Sequence, residues 1–201
     1  MNNRAPTLYL YLAIYIKKRP LSYSCYTYVI TFYNTIVSPF PLFQLNMSSF
    51  QIIVGSMLGT TEYVGEACEE QLNNLNHQAT VHLKPNFSSI LAHTFPANDE
   101  INSTWLICTS THGAGDYPDN IQTFVEDLKN CEQDLSSINF MIIAVGDSNY
   151  DTFCKAGVDI NKLLITKGCN ELIAIKKLDM SKDIDPEDQA QAWLYQNSDL
   201  L

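Results

Sequence analysis

Beyond residue 46, apolar runs of strand length alternate with segments whose apolar residues repeat at the period of a helix. In the first helical segment, Val64, Cys68 and Leu72 fall on one face. The alternation predicts an α/β fold in which a five-stranded parallel sheet is covered by helices on both faces, a three-layer sandwich. The five predicted strands are Phe50–Gly55, Thr80–Leu83, Trp105–Thr109, Phe140–Val145 and Leu172–Leu178.

Residue types typical of helix ends mark several boundaries. Asp119 followed by Gln122 is a capping-box pattern. Gly168 is typical of a helix C-terminus, and Asp185 before Pro186 is typical of a helix start. Residues 85–102 show no clear period, so we predict a connection with at most one helical turn.

The first 46 residues differ in chemistry from the rest. They contain four basic residues, no acidic residue, no glycine and seven of the eleven tyrosines. Charged residues and prolines interrupt their apolar runs, so no run reaches the ~20 residues that span a bilayer. We predict that residues 1–46 are a leader upstream of the true start at Met47, and that 47–201 form the domain. A targeting segment or interfacial anchor remains an alternative.

Composition narrows the function classes. A length of 201 residues suits one domain with an appendage. The net charge of −10 argues against nucleic-acid or anionic-membrane partners and favours basic ones. The six cysteines include no C-x-x-C pair, which predicts neither a zinc site nor a disulfide framework, and the cytoplasm is the expected location.

Five of the eight glycines follow predicted strands one, three and four. Carboxyl ends of parallel strands share one edge of the sheet. For strand order 2-1-3-4-5, ligands bind at that edge, between strands one and three. The first of these loops lacks the Lys of a nucleoside-triphosphate loop, so its hydroxyls, N–H groups and helix dipole predict a site for one phosphate. A simple Thr-capped turn is the alternative. This loop comprises Ser56, Met57, Leu58, Gly59, Thr60 and Thr61.

The other two loops are candidate walls of the same site. The second is longer than a strand-to-helix connection requires, and the third brings an aromatic residue, Tyr150, to the crevice. Burial of Tyr150 in the core is the alternative. Candidate residues are Thr109, Ser110, Thr111, His112, Gly113, Ala114, Gly115 and Asp116 in the second loop, and Gly146, Asp147, Tyr150, Phe153 and Cys154 in the third.

Three motifs together, G-S-x-L-G-x-x-E-Y-V, S-T-H-G-A-G-D-x-P-D-N and Y-D-T-F-C, resemble the flavodoxin family and the FMN domains of diflavin reductases. Within that family they resemble the short-chain MioC type, from about Phe50 to Leu194. The resemblance implies a flavodoxin-like fold and FMN as cofactor, with the phosphate on the first loop and the isoalloxazine ring between the other two, stacked on Tyr150. Gly113 corresponds to the glycine whose carbonyl accepts the N5–H of half-reduced flavin.

Two positions depart from the family pattern. Leu58 stands where many flavodoxins have Thr, and His112 stands where many have a second stacking aromatic residue. The phosphate contacts are therefore expected to be fewer, and the stacking one-sided.

The resemblance also implies a function. We expect a one-electron carrier between a flavoprotein reductase and a redox acceptor that dock on an acidic face, with a role in biotin formation. Acidic neighbours of the flavin are expected to disfavour additional negative charge on it. These neighbours are Asp116, Asp119, Asp147 and Asp151.

Other function classes have weaker support. A hydrolase would need a nucleophile beside His112, and no such context is present. A phospho-receiver would need acids where this chain has Gly55–Ser56 and Thr109–Ser110. A flavin-free interaction or regulatory module and an FMN-dependent reductase remain as alternatives.

Overall fold

The computed structural model describes residues 48–95 and 103–201. The predicted leader therefore lies outside the described residues, and its boundary at Met47 stays a prediction. In chain order the elements are β1 Ser49–Gly55, α1 Thr60–Asn74, β2 Gln78–His82, α2 Phe87–Thr94, β3 Ser103–Ser110, α3 Asp119–Asn130, β4 Asn139–Gly146, α4 Lys155–Thr166, β5 Asn170–Glu171, β6 Lys176–Asp179, α5 Pro186–Gln196 and a 3₁₀ turn Ser198–Leu200.

The sheet is parallel and has the order β2-β1-β3-β4-β5, with β6 also paired to β4. The predicted α/β class and strand order are thus confirmed. One face of the sheet packs against α2, α3 and α4, and the other packs against α1 and α5. Apolar residues alternate between the two cores along each central strand, as in β3, where Trp105 and Ile107 lie in one core and Leu106 and Cys108 in the other.

The predicted single strand Leu172–Leu178 is wrong, because β5 ends at Glu171, before the predicted strand, and only Lys176–Leu178 of it belong to a strand, β6. Phe140 of β4 pairs with Glu171, and Ile143 pairs with Lys176. Three steps along β4 therefore correspond to five along its neighbour, and two extra residues bulge out. Ile173 and Ile175 contact opposite cores, which a regular strand does not allow because alternate residues of a strand share a face.

Two expectations about helices also need correction. Residues 85–102 contain α2, which is longer than the single turn predicted, and Asn86 caps it by accepting the Ser89 N–H at 2.9 Å. Asp119 does not cap α3, because Pro118 occupies the N-cap position. The Asp119 carboxylate instead accepts the Gln122 side-chain amide at 3.1 Å.

The other predicted helix ends are confirmed. Gly168 follows α4 with φ 87°, and the Asp185 side chain accepts the N–H groups of Glu187 and Asp188 at the start of α5. Within the two described ranges, no helix is long and apolar enough to cross a membrane.

Phe124 offers a direct test of the core beneath α3. It is buried, and its ring meets the rings of Phe87 and Trp105 edge to face at 5.6 and 5.8 Å between centroids. We expect Phe124→Ala to lower the free energy of unfolding by about 3–5 kcal/mol, since it removes a large apolar group and leaves a cavity. Urea denaturation measures this value. Phe95→Ala is the control: Phe95 is exposed, and a comparable loss there would contradict the packing described.

Candidate functional site

A cavity of about 510 Å³ opens at the carboxyl ends of β1, β3 and β4, where the strand order reverses. This is the edge at which the three glycine-containing loops were predicted to meet. Among the described residues that line the cavity, none is Lys or Arg. The lining comprises Ser56, Met57, Leu58, Thr60, Thr61, Ser110, Thr111, His112, Gly113, Val145, Gly146, Asp147, Tyr150, Thr152, Phe153, Cys154 and Met180.

The loop between β1 and α1 turns at Gly59, which has φ 93°. This left-handed conformation costs little in glycine. The Gly59 N–H donates to Ser56 Oγ at 3.1 Å, and the Ser56 hydroxyl proton remains available to another acceptor. Ser56 is buried, whereas Leu58 is 95% exposed. Leu58 thus forms part of the rim, and it brings no hydroxyl to the site.

Backbone donors of this loop face no protein acceptor. In the described part of the chain, the N–H groups of Met57, Leu58, Thr60 and Thr61 have no hydrogen-bond partner. Two of these groups belong to the first turn of α1, where the helix dipole favours an anion. Because N–H groups are strong donors that are rarely left unpaired, the loop suits a phosphate held without a cation.

The side chain of Asn120, at the start of α3, ties this loop to its surroundings. Its Oδ1 accepts the Ser56 N–H at 2.9 Å. Its Nδ2 donates to the carbonyl oxygens of Val54 and Leu83, both at 2.9 Å. Asn120 was not among the predicted site residues. The signal in the sequence was its place as the last residue of the long second loop and of the motif S-T-H-G-A-G-D-x-P-D-N, beside a predicted helix start.

The second loop is closed by paired backbone hydrogen bonds. The His112 N–H donates to the Asp116 carbonyl at 3.0 Å, and the Asp116 N–H donates back at 2.8 Å. Gly115 has φ 109°, and a Cβ there would lie 2.5 Å from the Cδ of Lys155. Gly113 has φ 50°, and a Cβ there would meet only Asp116 Oδ2, at 3.6 Å. A side chain at this position would thus meet little of the described protein, and the φ of 50° is what favours glycine there.

The third loop presents Tyr150 at the cavity mouth. Tyr150 is 68% exposed, so the alternative that it belongs to the core is wrong. The Asp147 carboxylate accepts the Asn149 N–H at 2.8 Å, and the Asp147 carbonyl accepts the Tyr150 N–H at 3.2 Å. The loop therefore holds an aromatic ring in solvent at the edge of the cavity, where a flat ligand in the cavity would stack on its face.

Asp179, at the end of β6, anchors the third loop from below. Its Oδ1 accepts the Ser148 N–H at 3.0 Å, the Ser181 hydroxyl at 2.8 Å and the Ser181 N–H at 3.2 Å. These hydrogen bonds, that from the Ser148 N–H above all, hold the pKa of Asp179 well below its usual range. Sequence reasoning did not identify this residue, because its main partner lies 31 positions away.

Cys154 lies at the base of the cavity as a buried thiol. It has φ 56° and donates from Sγ to the Ala144 carbonyl at 3.3 Å. Burial raises its pKa to about 11, so the thiolate that would react with oxidants is scarce near neutral pH.

Positive charge lies one layer behind the lining. The Lys177 ammonium is 5.7 Å from the centroid of the Phe153 ring, which lines the cavity. Lys155 packs against Gly115, and its Nζ is 2.6 Å from Asp159 Oδ2, an ion pair that raises the pKa of Lys155.

Most of the predicted site residues line the cavity, and five do not. Gly59 shapes the first loop, and Thr109 is buried beneath Gly55. Ala114, Gly115 and Asp116 form the turn behind the second wall. Prediction missed three lining residues: Val145, Thr152 and Met180. The assignment of individual residues to FMN contacts stays a prediction.

The fold and the cavity define a mononucleotide-binding site at the switch point of a doubly wound sheet. Unpaired N–H groups suit one phosphate, and the apolar, aromatic walls suit a flat ring. The loop hydroxyls of Ser56, Thr60 and Thr61 add donors at the phosphate end. The residues present therefore fit a phosphorylated, planar cofactor.

Comparison with known proteins agrees with this assignment. The family model for flavodoxin matches residues 52–193, and the chain belongs to the flavodoxin family. It is 39% identical over 145 residues to the protein MioC homolog of Pasteurella multocida, covering 72% of this chain and 92% of that protein. It is 35% identical to protein MioC of Escherichia coli K12, covering 74% and 95%, and 32% identical to flavodoxin YqcA of the same strain, covering 77% and 99%.

Solved structures agree as well. A cysteine-to-alanine mutant of flavodoxin from Pseudomonas aeruginosa superposes with a TM-score of 0.68 at 27% identity, covering 76% of this chain and 98% of that one. The flavodoxin of Streptococcus pneumoniae TIGR4 has a TM-score of 0.63 at 22% identity, covering 77% of this chain and 100% of that one, which supports the fold alone. Family membership identifies FMN as the cofactor and electron carriage of the flavodoxin type as the activity. When bound, FMN supplies the capacity to take up and release electrons.

Tyr150 provides a test of the ring-binding wall. We expect Tyr150→Ala to weaken FMN binding roughly tenfold, because one aromatic face is lost. Quenching of FMN fluorescence measures the affinity. Tyr195→Ala is the matched control: Tyr195 is similarly exposed, and it lies outside the cavity lining. Equal effects of the two substitutions on FMN binding would contradict the placement of the ring beside Tyr150.

Proposed function

We propose that this chain is a one-electron carrier that takes electrons from a flavoprotein reductase and passes them to a redox acceptor. The observation that carries the proposal is the composition of the cavity: backbone donors for a phosphate, an exposed tyrosine, and no Lys or Arg among the described lining residues. In each transfer the reductase loses an electron that the carrier gains, and the acceptor is later reduced by that electron.

Charge around the cavity supports one-electron chemistry. The Asp147 carboxylate lines the cavity, and Asp116, Asp119 and Asp151 are exposed on the same two loops or next to them. A fixed negative charge disfavours the second electron, because that electron adds negative charge to the bound cofactor. Each ~1.4 kcal/mol of such repulsion separates one-electron potentials by about 59 mV.

The rim of the cavity supports a docking role. Exposed apolar surface lies around the mouth, at Leu58, Tyr150, Met57 and Met180. Asp147 lines the same cavity, and exposed carboxylates occur on the second and third loops or next to them. Apolar contact with an acidic border suits a partner whose own docking surface is basic, because opposite charges steer the encounter. We propose this acidic face as the place where both the reductase and the acceptor dock.

Delivery of electrons in biotin formation is the narrower role that we propose from the resemblance to MioC-type proteins. Relatives named MioC support this extension by their similarity alone. The cytoplasmic location is part of the same proposal.

Stepwise reduction tests the one-electron role. We expect the FMN-loaded chain to accept electrons in two separate steps, with the second at the lower potential, as measured by spectroelectrochemical titration. Asp147→Asn keeps an acceptor for the Asn149 N–H and removes the charge, so it should raise the second potential by about 59 mV for each ~1.4 kcal/mol of repulsion lost. Glu132→Gln, in the loop after α3, is the control. A single two-electron step would contradict the proposal. A chain that retains no FMN after free flavin is removed would support the flavin-free module instead.

Charge reversal tests the docking face. We expect electron uptake from a basic flavoprotein reductase to slow with rising ionic strength, because salt screens the steering field. Asp151→Lys should slow uptake roughly tenfold at low salt, whereas Glu132→Lys makes the same change in net charge after α3 and should have a much smaller effect. Stopped-flow absorbance measures the rates. Equal effects of the two variants would show that net charge, and not this face, governs the encounter.

A further inference from the structure

The side chain of Asn120 joins the phosphate end of the site to the ring end. We propose that Asn120 is a positioning residue that sets the first loop for the FMN phosphate and so determines the preference for FMN over riboflavin. Asn120 is not among the residues lining the cavity, so its effect is exerted through the backbone groups that it holds.

The three hydrogen bonds of Asn120 use both the oxygen and the NH₂ group of its side-chain amide. One oxygen accepts from Ser56, and one NH₂ group donates to the carbonyls of Val54 and Leu83, each at 2.9 Å. No other neutral side chain of that length offers one acceptor and two donors. All three partners are backbone atoms, so substitutions of the partner side chains leave the arrangement in place.

These bonds determine which donors remain for a phosphate. The Ser56 N–H is committed to Asn120, and the Gly59 N–H is committed to Ser56 Oγ. The N–H groups of Met57, Leu58, Thr60 and Thr61 are left unpaired among the described residues. The loop therefore divides its donors into two that hold its shape and four that are free to meet an anion.

Asn120 also links the two ends of the site mechanically. It lies in the first turn of α3, immediately after the loop that carries the predicted wall for the isoalloxazine ring. Its neighbour Asp119 adds a contact, with its N–H 3.4 Å from the Met57 sulfur. The bases of the two loops are held together by the pairing of Gly55 with Thr109 and by the Ser110 hydroxyl, which donates to the Gly55 carbonyl at 3.4 Å. Asn120 adds the link from the Ser56 N–H, inside the first loop, to the start of α3.

The role of Asn120 rests on the proposed FMN site, and it can be tested separately by comparing FMN with riboflavin. Riboflavin has the ring of FMN and lacks the phosphate. A residue that only stabilises the fold should affect the binding of both flavins equally. A residue that positions the phosphate loop should affect FMN and spare riboflavin.

The experiment compares both flavins on the full chain. Asn120→Ala removes the amide, and Asn120→Leu removes its hydrogen bonds at similar volume. We expect FMN affinity to fall about tenfold in both variants, equivalent to about 1.4 kcal/mol, with riboflavin affinity changed less than about twofold. Fluorescence titration gives both constants. Asn130→Ala is the matched control, because Asn130 lies at the other end of α3 and, among residues 48–95 and 103–201, its side chain bonds only the exposed Glu126.

Each outcome decides for or against the positioning role. Equal losses for FMN and riboflavin, or no loss for either, would overturn that role while leaving the carrier function intact. Failure of both variants to fold, seen by circular dichroism of the apoprotein, would overturn it too, because the role requires a folded chain with a misplaced loop. An unmodified chain that binds neither flavin would overturn the proposed function and this inference together.

Discussion

Backbone N–H groups without protein partners are the feature on which the site depends. Strand β1 ends at Gly55 and helix α1 begins at Thr60. Among the described residues, two of the four N–H groups between them, and the first two of the helix, have no hydrogen-bond partner. Free N–H groups at a helix N-terminus favour an anion, because they donate hydrogen bonds and the helix dipole attracts negative charge. The two further loops that the parallel sheet brings to the same edge form the other walls of the cavity.

The frame around these donors is held by two polar side chains that do not line the cavity. Asn120 holds the first loop, and Asp179 holds the third through Ser148 and Ser181. The second loop, by contrast, closes on itself and keeps an open glycine at its tip. The site therefore combines two loops that distant polar side chains anchor with one that its own backbone hydrogen bonds close.

The sequence allowed the strand order, the crevice and most of its lining to be predicted, because these follow from local patterns: apolar runs, helical spacing and glycines after strands. Asn120 and Asp179 could not be found this way, since their partners lie up to 66 and 31 positions away. The segment Leu172–Leu178 was predicted as one strand because apolar residues occur at both of its ends and no glycine or proline interrupts it. Only packing against two opposite cores reveals the interruption. The pattern of Asp119 followed by Gln122 fits a helix that begins after Asp119 as well as one that includes it. The structure has the second arrangement, with Pro118 at the N-cap position.

The interruption in the last strand determines which charge stands at the edge of the site. Asp179 is paired with Gly146 because two residues bulge out between Glu171 and Lys176. Continued without that bulge, the same register would bring Lys177 opposite Gly146. The two extra residues of the bulge thus place the anion Asp179, and not the cation Lys177, beside the third loop. Deleting two residues of the bulge would leave Asp179 opposite Gly146. A regular strand of the same sequence would place a positive charge at this edge, so the bulge sets the sign of the charge beside the third loop independently of the residues that line the cavity.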